Sequence, residues 1–262
     1  MLLSDQQIED YAQRLRLAYE DKTPVSPFGT EPGFEDPTAA YAVQERNTIV
    51  WLAQGRRLTG RKIGLTSPAV QEQLGVDQPD FGMLYADMEV ESGAAVRFDG
   101  FLQPKVEGEV AFELARDLAG DDITAADVVA AIAFARPAIE IVDSRIADWR
   151  ISFADTVADN ASSGGYVLGE ARVPLPEFEP AACGMTMTMN GAIVSEGNGR
   201  ACMGDPLNAA LWLAQTMAEV GRPLRAGDVI LSGALGPMAS PKAGDRVEVT
   251  IDGLGSAAVS FE

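Results

Sequence analysis

Residues 104–114 read PKVEGEVAFEL. As a strand, the side chains alternate, so Val106, Val110, Phe112 and Leu114 point one way while Glu107, Glu109 and Glu113 point the other. An apolar face explains itself by burial. A face carrying three carboxylates asks for a compensating partner.

The stretch sits in a body of similar texture. From Arg57 onward the chain runs in short apolar segments broken by Gly, Pro and Asp: RLTGRKIGLT (57–66), AIEIVDS (138–144), SGGYVLG (163–169), MTMTMNGAIV (185–194), DVILSGAL (228–235) and DRVEVTIDGLGSAAVSF (245–261). This punctuation predicts a β-rich body. Two helices interrupt it, one capped by Thr124 with Asp127 three residues on, the other opened by Asp205-Pro206 with Leu207, Leu211, Ala214 and Met217 on one face. Ahead of this body, Ser4 to Gln7 fits a capping box, and Ile8, Tyr11, Ala12, Leu15, Ala18 and Tyr19 follow at helical spacing, predicting a helix over 5–20. A Pro- and Gly-rich loop covers about 22–35, and Asp36-Pro37 opens a second helix that ends near Gly55. The expected organisation is α+β, with a helical part over 1–56 and a β-rich catalytic domain over 57–262. AGD at 226–228 and again at 243–245 is a turn entering a strand and carries no sign of duplication.

Composition narrows the chemistry. The 262 residues carry 20 Lys+Arg against 39 Asp+Glu, a formal charge of −19, which repels phosphate backbones and anionic lipid surfaces. No nucleic acid and no membrane is expected as a partner. The apolar run VVAAIAFA (128–135) falls far short of the ~20 residues that span a bilayer. No basic segment followed by an apolar one opens the chain, so a cytoplasmic location is expected. Cys183 and Cys202, the two cysteines, are too few and too loosely placed for a disulfide framework or zinc knuckle, and read as reduced thiols in or near the core. Histidine is absent. That removes the usual general base, the usual zinc ligand and every Ser-His or Cys-His nucleophile, leaving acid–base work to Asp, Glu, Lys, Tyr or metal-bound water.

Glu107 and Glu109 lie about 6.6 Å apart along a strand backbone. They can converge on one ion or extend into water. Glu140 weighs on that choice, because in PAIEIVDS it stands between Ile139, Ile141 and Val142 on a strand that reads as buried. A buried carboxylate costs several kcal/mol unless it is paired or ligates a metal. Two compensations are open: a salt bridge to Lys or Arg, or an all-oxygen site of three carboxylates, which suits Mg²⁺ or Mn²⁺ and suits Zn²⁺ poorly. Upstream, Lys62 stands in the strand-like RKIGLT and Asp80 in the loop DQPDFG (77–82), where each is either an ordinary surface or turn residue or a group facing a ligand. The polar stretch DSRIADWRISFADTVADNASSGG (143–165) carries Trp149, Ile151 and Phe153 and reads as a loop folded over a site. Its Asn160-Ala161-Ser162 is a formal glycosylation acceptor, a false positive in a cytoplasmic protein. SGALGPM (232–238) has the glycines of a close backbone approach and lacks the Lys and Ser/Thr of a phosphate loop, so nucleotide binding has no support.

Taken in order, GRKIGLTSPAVQEQLGVDQPDFGMLYADM (60–88), PKVEGEVAFEL, PAIEIVDSRIADWRISFADTVADNASSGGYVLG (137–169) and ILSGALGPM (230–238) resemble the 2-oxopent-4-enoate (2-hydroxypenta-2,4-dienoate) hydratases. These stand with the 4-oxalocrotonate decarboxylases in the fumarylacetoacetate hydrolase superfamily. The likeness runs from about residue 36 to the C-terminus. It implies a mixed β-sandwich or β-roll core with a small helical N-terminal part, a Mg²⁺ or Mn²⁺ site, homo-oligomers, and a small 2-oxo or 2-hydroxydienoate acid as substrate in aromatic meta-cleavage catabolism. It also implies Glu107, Glu109 and Glu140 as metal ligands and Lys62, Asp80 and Ser162 as active-site groups. A pathway aldolase or decarboxylase is the associating partner to look for. The superfamily's C–C hydrolases resemble a His–Glu water-activating arrangement, and a chain without histidine departs from that pattern.

The chemistry implied is Lewis-acid stabilisation of an enolate while protons move along the conjugated chain. Lys62, its pKa lowered beside a divalent cation, would shuttle a proton or bind the substrate carboxylate, and Asp80 would act as base. Which of the two moves which proton is not legible in sequence. A decarboxylase would use the same chelate with room for a second carboxylate, and a non-catalytic partner subunit would show no turnover at all.

Overall fold

The computed structural model describes residues 3–34, 37–67 and 78–262. Helix α1 (Asp5–Asp21) begins at the expected capping box, with Ser4 accepting from the Gln7 N–H, and ends at Lys22 in the left-handed conformation. Helix α2 is Pro37–Ala53; the expected cap Asp36 lies outside the described residues. Then come β1 (Leu58–Gly64), β2 (Asp80–Tyr85), β3 (Glu89–Glu91), β4 (Ala95–Val96), β5 (Pro104–Leu114), α3 (Ala125–Ala131) and β6 (Ile132–Asp143). After them follow α4 (Phe153–Ala158), β7 (Ser163–Leu168), β8 (Gly184–Met189), β9 (Ala192–Asn198), α5 (Pro206–Glu219), β10 (Val229–Ala234), β11 (Arg246–Ile251) and β12 (Gly255–Phe261). The fold is α+β with a mixed β-roll core, as expected.

Two sheets make that core. Seven strands run in the order β2-β1-β10-β5-β6-β7-β3, and five in the order β4-β12-β11-β8-β9. The larger sheet rolls: Thr59 on β1 and Tyr166 on β7, four strands apart in that order, hold their hydroxyls 3.1 Å apart. The alternation of 104–114 now has its physical reason. Its apolar face, with Val106, Val110, Phe112 and Leu114 all buried, turns toward the five-stranded sheet. At Gly108 on that face a β-carbon would stand 3.0 Å from both Met185 and Val249, a tight contact that glycine spares the two sheets. The acidic face turns into the roll.

Three expectations need correction. Asp80 was expected in a loop, yet it is the first residue of β2 and pairs directly with Gly64 of β1; Pro79 cannot donate to a ladder, so the strand begins immediately after it. Stretch 143–165 was expected to be loop, yet it contains α4, opened by a Ser152–Asp155 capping box hidden in a run of polar residues. On α5 the buried face is Ala209, Ala210, Leu213, Ala214 and Met217, with Leu207 and Leu211 half-buried beside it; the expected face was rotated by about one position.

The helical front serves this stretch. α1, α2, Phe28 and Phe34 form a separate apolar cluster with Ile146, Phe153, Ala154, Val157 and Ala158. Gln44 of α2 donates its carboxamide to the carbonyls of both Phe81 and Val157, at 2.8 and 3.0 Å. α2 therefore ties β2 to residues 153–158. Both cysteines are buried and unpaired, and no described helix is long and apolar enough to cross a membrane.

Candidate active site

At one end of the roll, adjacent strands bring four acids and a lysine together. Glu107 of β5 lies directly opposite Glu140 of β6, an arrangement of like charges that opposes pairing unless something compensates it. Glu109 follows two residues on along the same face. One carboxylate oxygen from each of Glu107, Glu109 and Glu140 lies within 4.8 Å of the other two. Glu113, on the same face, does not join them. It lies at the opposite end of the roll in an ion pair with Arg136; the sequence could not separate it from the other two, since all share one parity.

Lys62 enters from β1. Its ammonium lies 3.2 Å from Glu140 Oε1, with both side chains buried. The two compensations left open by the sequence are thus both present: a salt bridge and a three-carboxylate cluster. One ammonium does not balance the four acids around it. Burial works against the charged lysine, and Glu140, Asp80, Glu107 and Glu109 outweigh that effect and hold its pKa above the ordinary range. Among the protein's own groups the direction is opposite to the lowering expected beside a cation. Burial and mutual repulsion push Glu107 up to about 7 and Glu109 well above the usual carboxylate range. Glu140 also rises, because burial outweighs Lys62.

The oxygens of this cluster are underused. Glu109 accepts from the Gly233 backbone N–H through Oε2 at 2.8 Å, while its Oε1 and Glu140 Oε2 have no hydrogen-bond partner. Gly233 has φ 110, and a β-carbon there would stand 2.4 Å from Thr66; this is the close approach that SGALGPM announced. All-oxygen and acidic, with Glu109 and Glu140 buried, each keeping an oxygen without a hydrogen-bond partner, and Glu107 half-buried beside them, the donor set fits a hard divalent cation held by Glu107, Glu109 and Glu140.

Asp80 completes the floor. Thr156 donates to its Oδ2 at 3.2 Å, and Oδ1 has no partner. Burial raises its pKa, offset in part by Lys62 and Thr156. At Gly64, a β-carbon would lie 2.2 Å from Asp80 Oδ1 and 3.2 Å from Lys62 Nζ, so the glycine of KIG leaves the space in which these two groups meet. Neither Gly64 nor Thr156 was singled out in the sequence; a glycine inside a strand was the available signal.

Above this floor is a cavity of about 320 Å³, reached by Lys62, Asp80 and Glu107 and walled by Trp149, Ile151, Thr156, Ala161 and Ser162 among others. Stretch 143–165 does fold over the site. Asn160, Ala161 and Ser162 are all left-handed, with φ 56, 50 and 53, a conformation costing roughly 1–2 kcal/mol per non-glycine residue. It is held from three sides. The Asn160 carboxamide accepts from the Met83 N–H at 2.7 Å and donates to the Met83 carbonyl at 3.0 Å, filling the free edge of β2. Arg145 grips Asp159 through its side chain at 2.5 Å and its backbone at 2.9 Å. At Gly82 a β-carbon would stand 2.3 Å from the Asn160 carbonyl. Ser162 is thereby fixed in the wall, 3% exposed.

The chain matches the fumarylacetoacetate (FAA) hydrolase C-terminal family over residues 29–261. It is 56% identical over 253 residues to 2-keto-4-pentenoate hydratase 2 of Dechloromonas aromatica, covering 97% of each chain. To the TodF product hydratase of Pseudomonas putida it is 59% identical over 229 residues, covering 87% of this chain and 85% of that one. Among solved structures, 4-oxalocrotonate decarboxylase from Pseudomonas putida G7, complexed with magnesium and adipate, superimposes with a TM-score of 0.95 at 31% identity, with 99% of each chain covered.

Proposed function

The chain belongs to the fumarylacetoacetate hydrolase family, in its hydratase and decarboxylase branch, and from that premise we propose that it is a divalent-metal-dependent hydro-lyase. Its substrate is 2-hydroxypenta-2,4-dienoate (2-oxopent-4-enoate) and its product 4-hydroxy-2-oxopentanoate, in aromatic meta-cleavage catabolism. The observation that carries this reading is the convergence of Glu107, Glu109 and Glu140, with unpartnered buried oxygens, beside Lys62 and Asp80.

Glu107, Glu109 and Glu140 are the groups that would hold Mg²⁺ or Mn²⁺. Bound there, the cation supplies Lewis-acid stabilisation of the enolate of a 2-oxo acid. The protein's own groups move the protons. Lys62, kept charged by the surrounding acids, holds a proton at Nζ and donates to the substrate's oxygens. Asp80, a stronger base than an exposed aspartate, takes the enol proton at Oδ1, the oxygen left without a partner. Returning a proton to C5 gives the 2-oxo-3-enoate, whose C4 accepts water; the water's proton leaves toward Asp80, and C3 is protonated. One water is consumed and no carbon is lost. Ser162, set by the strained turn, orients substrate from the wall, and Trp149, Ile151 and Ala161 limit access of bulk water.

Hydration is preferred to decarboxylation because the hydratases named above share more than half of their aligned residues with this chain, against 31% for the decarboxylase. Purified protein, stripped of metal and resupplied with Mg²⁺ or Mn²⁺, should consume the dienoate absorbance without releasing carbon dioxide. Gas release from 4-oxalocrotonate at a higher rate would transfer the assignment to decarboxylase, and no turnover of either with any metal would make it a non-catalytic subunit.

A further inference from the structure

Behind the carboxylate cluster, strand β10 interrupts its pairing. Its register with β5 shifts between Leu231 and Ala234, and its direct pairing with β1 ends at Leu231. The Ser232–Gly233 peptide falls in this break, and an irregularity of this kind beside a site re-aims backbone groups. Side chains take up both ends of that peptide. The Gly233 N–H donates to Glu109 Oε2 at 2.8 Å, and the Ser232 carbonyl accepts from the Cys202 thiol, with Sγ 3.0 Å from the oxygen. Thiol, peptide and carboxylate therefore stand in one line of hydrogen bonds.

Cys202 is held in place for this contact. It closes the single turn Gly199–Ala201 ahead of α5, and the next residue, Met203, donates its N–H to the Thr66 carbonyl at 3.1 Å. Thr66 in turn lies against Gly233, where a β-carbon would meet its Oγ1 at 2.5 Å. The thiol is fully buried. Burial, with the Glu109 charge nearby, pushes it up to about 12, so it remains an S–H donor. Any nearby carbonyl satisfies a buried thiol, and Cys183 finds one at Pro180, 3.1 Å away. Cys202 finds its acceptor on the peptide that also holds Glu109.

We propose that Cys202 is a positioning residue for Glu109, its thiol steadying and polarising the Ser232–Gly233 peptide so that the N–H fixes Oε2 and leaves Oε1 free to ligate. This rests on the reading of Glu107, Glu109 and Glu140 as the metal ligands. Hydrogen bonds in a chain strengthen one another through the polarised group between them. Partners behind a ligating carboxylate typically tune metal affinity by about 10–100-fold, and a thiol, a weak donor, belongs at the lower end.

The test reads the thiol itself. Infrared spectra of the metal-free protein should carry the S–H stretches of two buried thiols. Magnesium should move the Cys202 band, identified by its loss in Cys202→Ala, to higher frequency, while the Cys183 band stays. The sign follows from charge: a bound cation shares the charge of Glu109, the Gly233 N–H is drawn less strongly, and the S–H bond to the Ser232 carbonyl weakens. Calorimetric titration should show magnesium affinity about tenfold lower in Cys202→Ala and largely restored in Cys202→Ser, which keeps a donor. A role in packing alone lowers the urea midpoint of Cys202→Ala but leaves its magnesium affinity and the wild-type band unmoved, and that result would overturn the proposal. Magnesium binding unchanged by Glu107→Gln would instead remove the ligand reading on which the proposal stands.

Discussion

Asp80 Oδ1 lies 2.2 Å from the point where Gly64 would carry a β-carbon. The two residues face each other across the β1–β2 ladder, and the absent side chain is the space in which the base and Lys62 meet. Gly64→Ala should therefore lower kcat by about a hundredfold, the scale expected for a displacement of about 1 Å at a reacting group, while far-ultraviolet dichroism stays unchanged. An alanine variant at full rate would show that Asp80 need not occupy this position.

Asp80 and Glu107 should separate by what they lose. Glu107→Gln removes one donor from the carboxylate cluster and should reduce metal content measured after dialysis, with turnover falling in parallel. Asp80→Asn leaves the three glutamates in place and should retain metal while kcat falls by about 10²–10⁴, the range for loss of a general base. Intact metal and turnover in Glu107→Gln would remove the ligand assignment, and an active Asp80→Asn would remove the base.

The raised glutamates set a pH dependence with a definite sign. Glu107 moves from its ordinary 4.5 up to about 7 in the metal-free fold, so between those values the folded state binds more protons than the unfolded one. Stability of the metal-free protein consequently falls as pH rises through that window. Because ligation requires the deprotonated form, magnesium should bind more tightly over the same interval and release protons on binding. Scanning calorimetry should show a stabilisation by magnesium that grows by several degrees from pH 5 to pH 8; a shift constant with pH, or larger at pH 5, would contradict the burial of these carboxylates.

Much of this site is legible in the sequence because strand alternation is a strict two-residue rule. It put Glu107 and Glu109 on one face, and the apolar neighbours of Glu140 announced a buried acid. The same rule could not distinguish Glu113, whose partner Arg136 lies across the sheet on β6, since pairing depends on register. Asp80 was misplaced because Pro79 and Gly82 read as turn residues, while in the structure β2 starts immediately after the proline and the glycine admits the Asn160 carbonyl. The left-handed turn at Asn160–Ser162 left almost no trace, for its stability comes from Met83, Asp159 and Arg145, residues distant or unremarkable in sequence.

That turn yields the last prediction. Arg145 is 3% exposed and gives its donors to the Asp159 carboxylate, to the backbone carbonyl of Asp159, and to those of Asp143 and Ser163 at 2.6 and 2.7 Å. It closes the two ends of the segment over the cavity and balances a buried acid. Lysine keeps the charge and loses the planar fork, so most of those carbonyls would be left without a donor, each at about 1–3 kcal/mol. Arg145→Lys should lower the unfolding free energy by about 3–5 kcal/mol, read as a lower urea midpoint. It should also reduce kcat more than it raises KM, because the turn that sets Ser162 relaxes while Lys62 on β1 and the three glutamates on β5 and β6 remain. A stable Arg145→Lys protein with wild-type kcat would show that the strained turn persists without its anchor.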